Sequence, residues 1–265
     1  MTVLTLGPAG TFSHELALRL YGDDIELLPT IGKIIGAVAS GESDGLVPIE
    51  NSEAGGVGST LRGLQDANVF IVEEAYMPIR HHFAARCDPG DLAVIYAHPQ
   101  THEQCSGFLD RLGVGIVHTS SNAASALAML EREDAGAVVS LSAAEIYRLP
   151  VLRRDVQNSS ENVTRFVRIS ATPRDDAGCT RCSILVDPAA NRAGLLHDLL
   201  GVFASRSINL TRIESRPSRR GMGQYVFFID FDLAPGWEEA REDLRRMTVV
   251  KELGCYTRRE VPAWT

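Results

Sequence analysis

The chain has 265 residues, 45% hydrophobic and 23% charged, the make-up of an ordinary globular protein with room for one large or two average domains. A formal net charge of -8 removes the electrostatic case for a nucleic-acid partner, and the basic run Arg216-Pro217-Ser218-Arg219-Arg220 reads as a turn. No apolar run approaches the length of a membrane span and the N-terminus lacks a basic-then-apolar signal, so a cytoplasmic protein with no membrane partner is expected.

Val3 to Leu6 reads as a short strand that runs into Gly7-Pro8-Ala9-Gly10-Thr11-Phe12-Ser13. Thr11 or Ser13 caps the helix that follows, Leu16, Leu20 and Tyr21 keep helical spacing, and Gly22 ends it. Such a turn presents backbone N–H groups to an anion. Its glycines fit neither the dinucleotide nor the P-loop pattern, so a small carboxylate is the better-sized guest. A second helix is expected from Ile34 to Ser40, then a buried strand from Gly45 to Ile49 ending in Glu50-Asn51-Ser52. Gly55-Gly56-Val57 and a helix holding Leu61 and Leu64 follow. Glu50 and Asn51 either make a turn and cap or stand at the carboxyl end of a strand, where open α/β sheets bind ligands.

Val69 to Val72 is the next strand, and Pro78 to Phe83 looks like a crossing segment in which His81 and His82 face opposite ways. The strand Val94 to Ala97 ends in His98-Pro99-Gln100, with Gln104-Cys105 about a helical turn beyond. His98 suits an acid, a base or a structural hydrogen bond. Ile116 to Thr119 leads into Ser120-Ser121-Asn122, a cap, and an alanine-rich helix; Ala137 to Val139 precedes another helix ending near Leu149. Asn162-Val163-Thr164-Arg165-Phe166 then opens a strand in which Thr164 and Arg165 serve different surfaces, one for a polar ligand and the other to neutralise an anion. Strand and helix alternate throughout, and the unit from Phe83 to Leu149 is enclosed by a returning strand, which describes two lobes around a cleft.

Periodicity is lost over 173–180, the linker. Beyond it come a strand from Cys182, a helix from Gly194 to Ala204 and strands from Ser207 to Glu214 and Gln224 to Asp232. A helix from Gly236 to Met247 and a short strand near Val249 complete a βαββαβ order with one sheet face covered by helices. Its exposed edge invites pairing with another copy. Five cysteines, Cys87, Cys105, Cys179, Cys182 and Cys255, are expected as reduced thiols, and the lone Cys179-Thr180-Arg181-Cys182 lacks the second pair that zinc needs. No metal and no cofactor is expected.

Taken together, Gly7 to Ser13, Pro48 to Ser52 with Gly55, His98 to Gln100 with Gln104-Cys105, and Thr164 to Phe166 resemble prephenate dehydratase, in order and in register. Ile208-Asn209-Leu210 and Glu214 to Pro217 look like the ACT regulatory domain attached to that enzyme in its monofunctional form. The resemblance implies a two-lobed, periplasmic-binding-protein-like (type II) α/β catalytic domain over 1–172, with lobe one about 1–78 and 155–172 and lobe two about 79–154. An α+β ferredoxin-like ACT domain follows over 181–265. It implies decarboxylative dehydration of prephenate to phenylpyruvate in phenylalanine biosynthesis, with phenylalanine as allosteric effector and self-association through ACT domains. Arogenate dehydratase and a non-catalytic amino-acid sensor are the alternatives.

By that resemblance Thr164, Arg165 and Phe166 are catalytic, with Thr164 donating a hydrogen bond to the leaving hydroxyl and Glu50 a secondary proton source if burial raises its pKa. Thr11, Phe12, Ser13, Asn51, Ser52, Gln100, Ser121 and Asn162 are the substrate-binding set, and Arg165 with the Thr11 hydroxyl and helix-start N–H groups anchors the pyruvyl carboxylate. Gly194, Leu195, Leu196, Asn209, Leu210, Glu214, Ser215, Arg216 and Pro217 are the effector set. The chain departs from the family at Asn191 to Leu196, where Ala193 replaces a proline and Leu195 a small alanine, so an altered effector affinity is expected.

Overall fold

The computed structural model describes residues 2–175, 178–189 and 192–262. Lobe one begins with β1 (Val3–Leu6), α1 (Phe12–Tyr21), β2 (Ile25–Leu28), α2 (Ile31–Ala39) and β3 (Asp44–Asn51). It continues with β4 (Gly55–Gly56), α3 (Gly58–Asp66) and β5 (Phe70–Pro78). Lobe two holds β6 (His82–Ala85), β7 (Val94–Ala97), α4 (Pro99–Gln104), α5 (Ser106–Leu112) and β8 (Ile116–His118), then α6 (Asn122–Leu130), β9 (Ala135–Val139), α7 (Leu141–Ile146) and β10 (Val151–Arg153). The chain returns to lobe one as β11 (Val163–Ser170), which lies antiparallel between β3 and β5. Lobe two is built on its own sheet of five strands, ordered β10-β6-β9-β7-β8.

Side-chain caps fix where the helices start. Thr11, Thr30, Ser121 and Ser140 each accept a hydrogen bond from a first-turn N–H of α1, α2, α6 and α7. Because of the Thr30 cap, α2 starts at Ile31 rather than at Ile34. Three strands run further than their apolar runs announce. β3 continues through Glu50 and Asn51, β5 reaches Pro78, and the last strand of the chain extends for ten residues.

The C-terminal domain comprises β12 (Arg181–Asp187), α8 (Leu195–Ala204), β13 (Leu210–Pro217), β14 (Tyr225–Asp232), α9 (Trp237–Met247) and β15 (Val249–Arg258). Its helices cover one sheet face through Leu199, Phe203, Trp237 and Leu244. The opposite face contributes Leu185, Val226, Phe228, Leu253 and Tyr256 to the core that α2 and α3 build with Ile34, Leu61 and Leu64. β15 also pairs in parallel with β5, Thr257 beside Glu73 and Arg258 beside Glu74. The two domains thus share one ten-stranded sheet, β13-β14-β12-β15-β5-β11-β3-β1-β2 with β4 on β3.

One expectation is corrected here. Cys182 and Cys255 are partners across β12 and β15, with Cα atoms 4.0 Å apart, and are joined in a disulfide. Neighbouring antiparallel strands bring together two residues 73 positions apart, a proximity that spacing alone does not reveal. Cys87, Cys105 and Cys179 remain thiols. No helix among the described residues is long and apolar enough to cross a membrane.

Candidate active site

The ends of β1, β3, β7 and β11 and the starts of α1, α4 and α6 converge on a cavity of about 310 Å³ between the lobes. Its wall includes Thr11, Phe12, Ser13, Asn51, Gln100, Ser121, Thr164 and Phe166 from the nominated set. His81, His98, Thr101, Gln104, Ser120 and Asn122 also line it. A larger hollow of about 700 Å³ lies in lobe two beside Phe108, Leu152 and Arg153, and it gathers none of the nominated residues.

Thr164 is 8% exposed, and its hydroxyl is oriented by Asn51. The Asn51 Oδ1 accepts the backbone N–H of Glu53 (3.1 Å) and of Ala54 (2.9 Å), which fixes the amide the other way round. The Nδ2 group then donates to Asn162 Oδ1 at 2.7 Å and to Thr164 Oγ1 at 2.9 Å. With its oxygen engaged as an acceptor, the Thr164 hydroxyl keeps its own proton to donate into the cavity. Asn162 therefore holds Asn51 from behind, fully buried, rather than lining the cavity.

Two helix starts face the cavity from opposite lobes. Thr11 caps α1, accepting from His14 N and donating to Leu6 O at 2.9 Å, so its hydroxyl proton is spent within the turn. What α1 offers an anion is its backbone N–H groups. Ser121 caps α6 by accepting from Ala124 N at 3.0 Å, and Asn122 beside it accepts from Thr101 Oγ1 at 2.7 Å. His81 is 1% exposed, stacks edgewise on Phe12 and shares a 3.0 Å hydrogen bond between its Nε2 and Gln104 Oε1. Burial drives its pKa down to about 4, reinforced by His82 and His98 and opposed by the Gln104 hydrogen bond. Burial lowers His98 too, with His118 adding to the effect. Among the described lining residues no side chain carries a fixed charge.

Four nominated residues stand elsewhere. Arg165 points to the far face of β11, where Nε meets Glu74 at 2.7 Å, Nη1 meets Asp230 at 2.5 Å and Nη2 donates to the Tyr256 hydroxyl at 2.8 Å. Strand alternation sends it away from the cavity that Thr164 and Phe166 line. Glu50 shares that far side, 3.7 Å from Arg165 and 3.3 Å from Arg212, so it is ion-paired at a half-open surface rather than buried as a proton source requires. Ser52 donates to Glu161 O and accepts from Val163 N, pinning the entry of β11. Asn162 stands behind Asn51, as described. His81, Gln104, Thr101 and Asn122 were absent from the nominated set. Gln104 and Asn122 stand within the Gln104-Cys105 and Ser120-Ser121-Asn122 motifs and Thr101 directly follows His98-Pro99-Gln100, whereas His81 stands in a crossing segment with no such signal.

In the C-terminal domain, Glu214 and Arg216 rest against Gly56 and Gly58, where a Cβ would collide with the one and crowd the other. These glycines flank Val57, which lines the cavity. Gly194 opens α8 at a φ of 79°, Leu195 packs on the helical core, and Leu196, Ser215 and Pro217 are exposed. Asn209 is also exposed and donates to Asp232, while Leu210 packs on the core at the opposite end of β13 from Arg216. Asn191 lies outside the described residues.

The family model for prephenate dehydratase matches residues 3–174 and that for the ACT domain matches 184–247. The curated prephenate dehydratase of Amycolatopsis methanolica is 37% identical over 98% of this chain and 89% of its own length. The bifunctional chorismate mutase/prephenate dehydratase of Aquifex aeolicus is 35% identical over 96% of this chain and 73% of its own. A crystal structure of prephenate dehydratase from Arthrobacter aurescens in complex with L-Phe is 31% identical and superposes with a TM-score of 0.89, over 97% of this chain and 90% of that one.

Proposed function

Because the chain belongs to the prephenate dehydratase family, with the catalytic domain followed by a regulatory ACT domain, we propose that the cavity between its lobes takes prephenate and that Thr164 assists the loss of its hydroxyl. The electron pair of the ring-carboxylate bond moves through the diene as carbon dioxide leaves, the opposite carbon releases hydroxide, and the ring becomes aromatic. A dianion gives the phenylpyruvate anion, carbon dioxide and hydroxide, so charge and atoms balance. Aromatisation supplies the drive, and the protein need only stabilise the departing oxygen and hold the side-chain carboxylate. The observation that carries this reading is the Asn51–Thr164 hydrogen bond of 2.9 Å, which leaves the threonine proton for the substrate. A threonine is too weak an acid to give that proton up entirely at neutral pH; it donates a hydrogen bond, or relays a proton from water.

The α1 and α6 helix starts supply N–H groups and partial positive charge for the retained carboxylate, with Ser121, Gln100 and Ser13 beside them. Phe12 and Phe166 form dry walls that favour a neutral carbon dioxide. Arg165 does not serve as the anchor, since its guanidinium is occupied by protein partners. The lining holds no carboxylate to balance the ammonium of arogenate, which favours the keto acid; Glu53 and Glu103 line an adjoining hollow that shares Gln100 and Gln104. Phenylpyruvate formation measured on prephenate and arogenate side by side tests this, with prephenate expected to have the higher kcat/KM.

Phenylalanine is read as the effector and a second copy of the chain as the partner that completes its site. Leu210 and Pro217 lie at the two ends of β13, about 20 Å apart at the usual strand rise. Even the near ends of the two segments, Leu210 and Glu214, are four residues or about 13 Å apart, which supports a site shared between two copies. A cytoplasmic location is inferred alongside from the family to which the chain belongs.

A further inference from the structure

Arg165 is the neighbour of Thr164 in β11 and is 4% exposed. A buried guanidinium is tolerated only when its donors are met, and two of its three hydrogen-bond partners are not catalytic-domain residues, Glu50 of β3 adding only a longer ion pair at 3.7 Å. Glu74 comes from β5, whereas Asp230 and Tyr256 come from β14 and β15 of the regulatory domain. Those partners are themselves braced. The Ser183 hydroxyl of β12 lies 2.6 Å from Asp230 Oδ1 and 2.7 Å from the Tyr256 oxygen. Arg181 of the same strand donates to Glu74 at 2.9 Å and to the Tyr76 hydroxyl at 2.8 Å.

On the β5 side the ladder is regular here, Thr164 pairing with Met77 and Arg165 with Tyr76, but on the β3 side, nearer the cavity-lining Asn51, it is not. Arg165 pairs with Glu50, but Phe166 pairs with Pro48, so β3 bulges between the two. A bulge leaves a residue unpaired and turns the strand, and proline supplies no N–H to restore the bond. Backbone pairing with β3 therefore does not by itself settle the direction of β11 where Thr164 must aim its proton. The β5 ladder fixes the strand from one side, and the clamp on the next side chain supplies the hold that the β3 side lacks.

We infer that Asp230 and Tyr256, residues of the regulatory domain, are positioning residues for the reaction: through the Arg165 guanidinium they set where the Thr164 hydroxyl stands. The inference rests on the reading of Thr164 given above. It makes the regulatory domain part of the catalytic strand's support, in addition to whatever it does with an effector. A shift of under an ångström in a hydrogen-bond donor is enough to lose rate while leaving the carboxylate-binding helix starts, and hence KM, in place.

The test compares the full-length parent with Tyr256→Phe and Asp230→Asn by steady-state phenylpyruvate formation from prephenate and by thermal melting. Tyr256→Phe removes a single oxygen and is the milder change should Asp230→Asn fail to fold. The expected result is a kcat at least fivefold lower in Tyr256→Phe, with KM within twofold of the parent. The same substitution in a Thr164→Ala background should alter the residual kcat by less than twofold, because its effect passes through that hydroxyl. A lower melting temperature with kcat unchanged overturns the inference, since the clamp would then only hold the domains together. An equal fall in both backgrounds overturns it as well, since the effect would bypass Thr164. A parent that forms no phenylpyruvate removes the reading of the site and this inference with it, whereas an active parent with indifferent variants removes this inference alone.

Discussion

The Thr164 hydroxyl accepts a hydrogen bond from Asn51 and has its own proton to give, and the role proposed for it rests on that asymmetry. Asn51→Leu keeps the side chain's approximate size but removes the donor that orients Thr164, and kcat should fall roughly tenfold to a hundredfold, with a lower melting temperature because Glu53 N, Ala54 N and Asn162 lose their partner. A pH profile bears on the same point. His81 and His98 are the titrating side chains among the described lining residues, and burial lowers both, so both are neutral above pH 7. The expected kcat is flat from pH 7 to 9; a limb in that range would reveal a protein acid that the cavity does not display. His81 carries a stability consequence as well. Unfolded, it binds a proton below about pH 6.5, while in the fold it stays neutral down to about 4. Stability is therefore full above pH 6.5 and declines as pH falls toward 4, by about 2 kcal/mol at pH 5. Urea unfolding at pH 7.5 and 5 should show a drop smaller by that amount in His81→Gln than in the parent. An equal drop in both would mean that His81 is protonated in the fold.

At the level of elements, the caps join stability to binding. Ser121→Ala should cost about 1 kcal/mol of stability by uncapping α6. If that helix start holds a substrate carboxylate, KM should rise roughly twofold to fivefold as well, with kcat little changed. A stability loss without a KM change would separate α6 from the substrate. These caps were visible in the sequence because a serine or threonine before an apolar helical repeat has a local cause. β2 and β10 were not visible: four and three residues at sheet edges, they leave no alternation long enough to read. The lengths of β5 and β15 were hidden for a different reason. β15 is prolonged by Thr257 and Arg258 pairing with β5 of the other domain, and β5 runs on to Pro78 against β11, so polar residues such as Glu73, Glu74 and Thr257 join the strands because a partner strand is there. The direction of Arg165 follows from alternation, but its partners Asp230 and Tyr256 lie 65 and 91 residues away. No spacing rule could have assigned them.

Across the whole molecule, one sheet runs from the cavity between the lobes into the regulatory domain, and the two domains share a hydrophobic core. The Cys182–Cys255 disulfide ties the first and last strands of that domain over a separation of 73 residues. In a chain-entropy model such a crosslink contributes about 4 kcal/mol. It stands against the reduced state usual for cytoplasmic thiols, and thiol titration decides between them. The denatured, unreduced chain should show three reactive thiols, rising to five after reduction. Five before reduction would mean that the pair is merely adjacent.

The central claim is that a single threonine, aimed by an asparagine and by the strand it sits on, helps prephenate lose its hydroxyl. Its most direct test is phenylpyruvate formation from prephenate at pH 8 by the purified chain and by Thr164→Ala. The account predicts turnover by the parent and a kcat about a hundredfold or more lower in the variant, with KM and the melting curve close to the parent's. Equal turnover by the two proteins would contradict it.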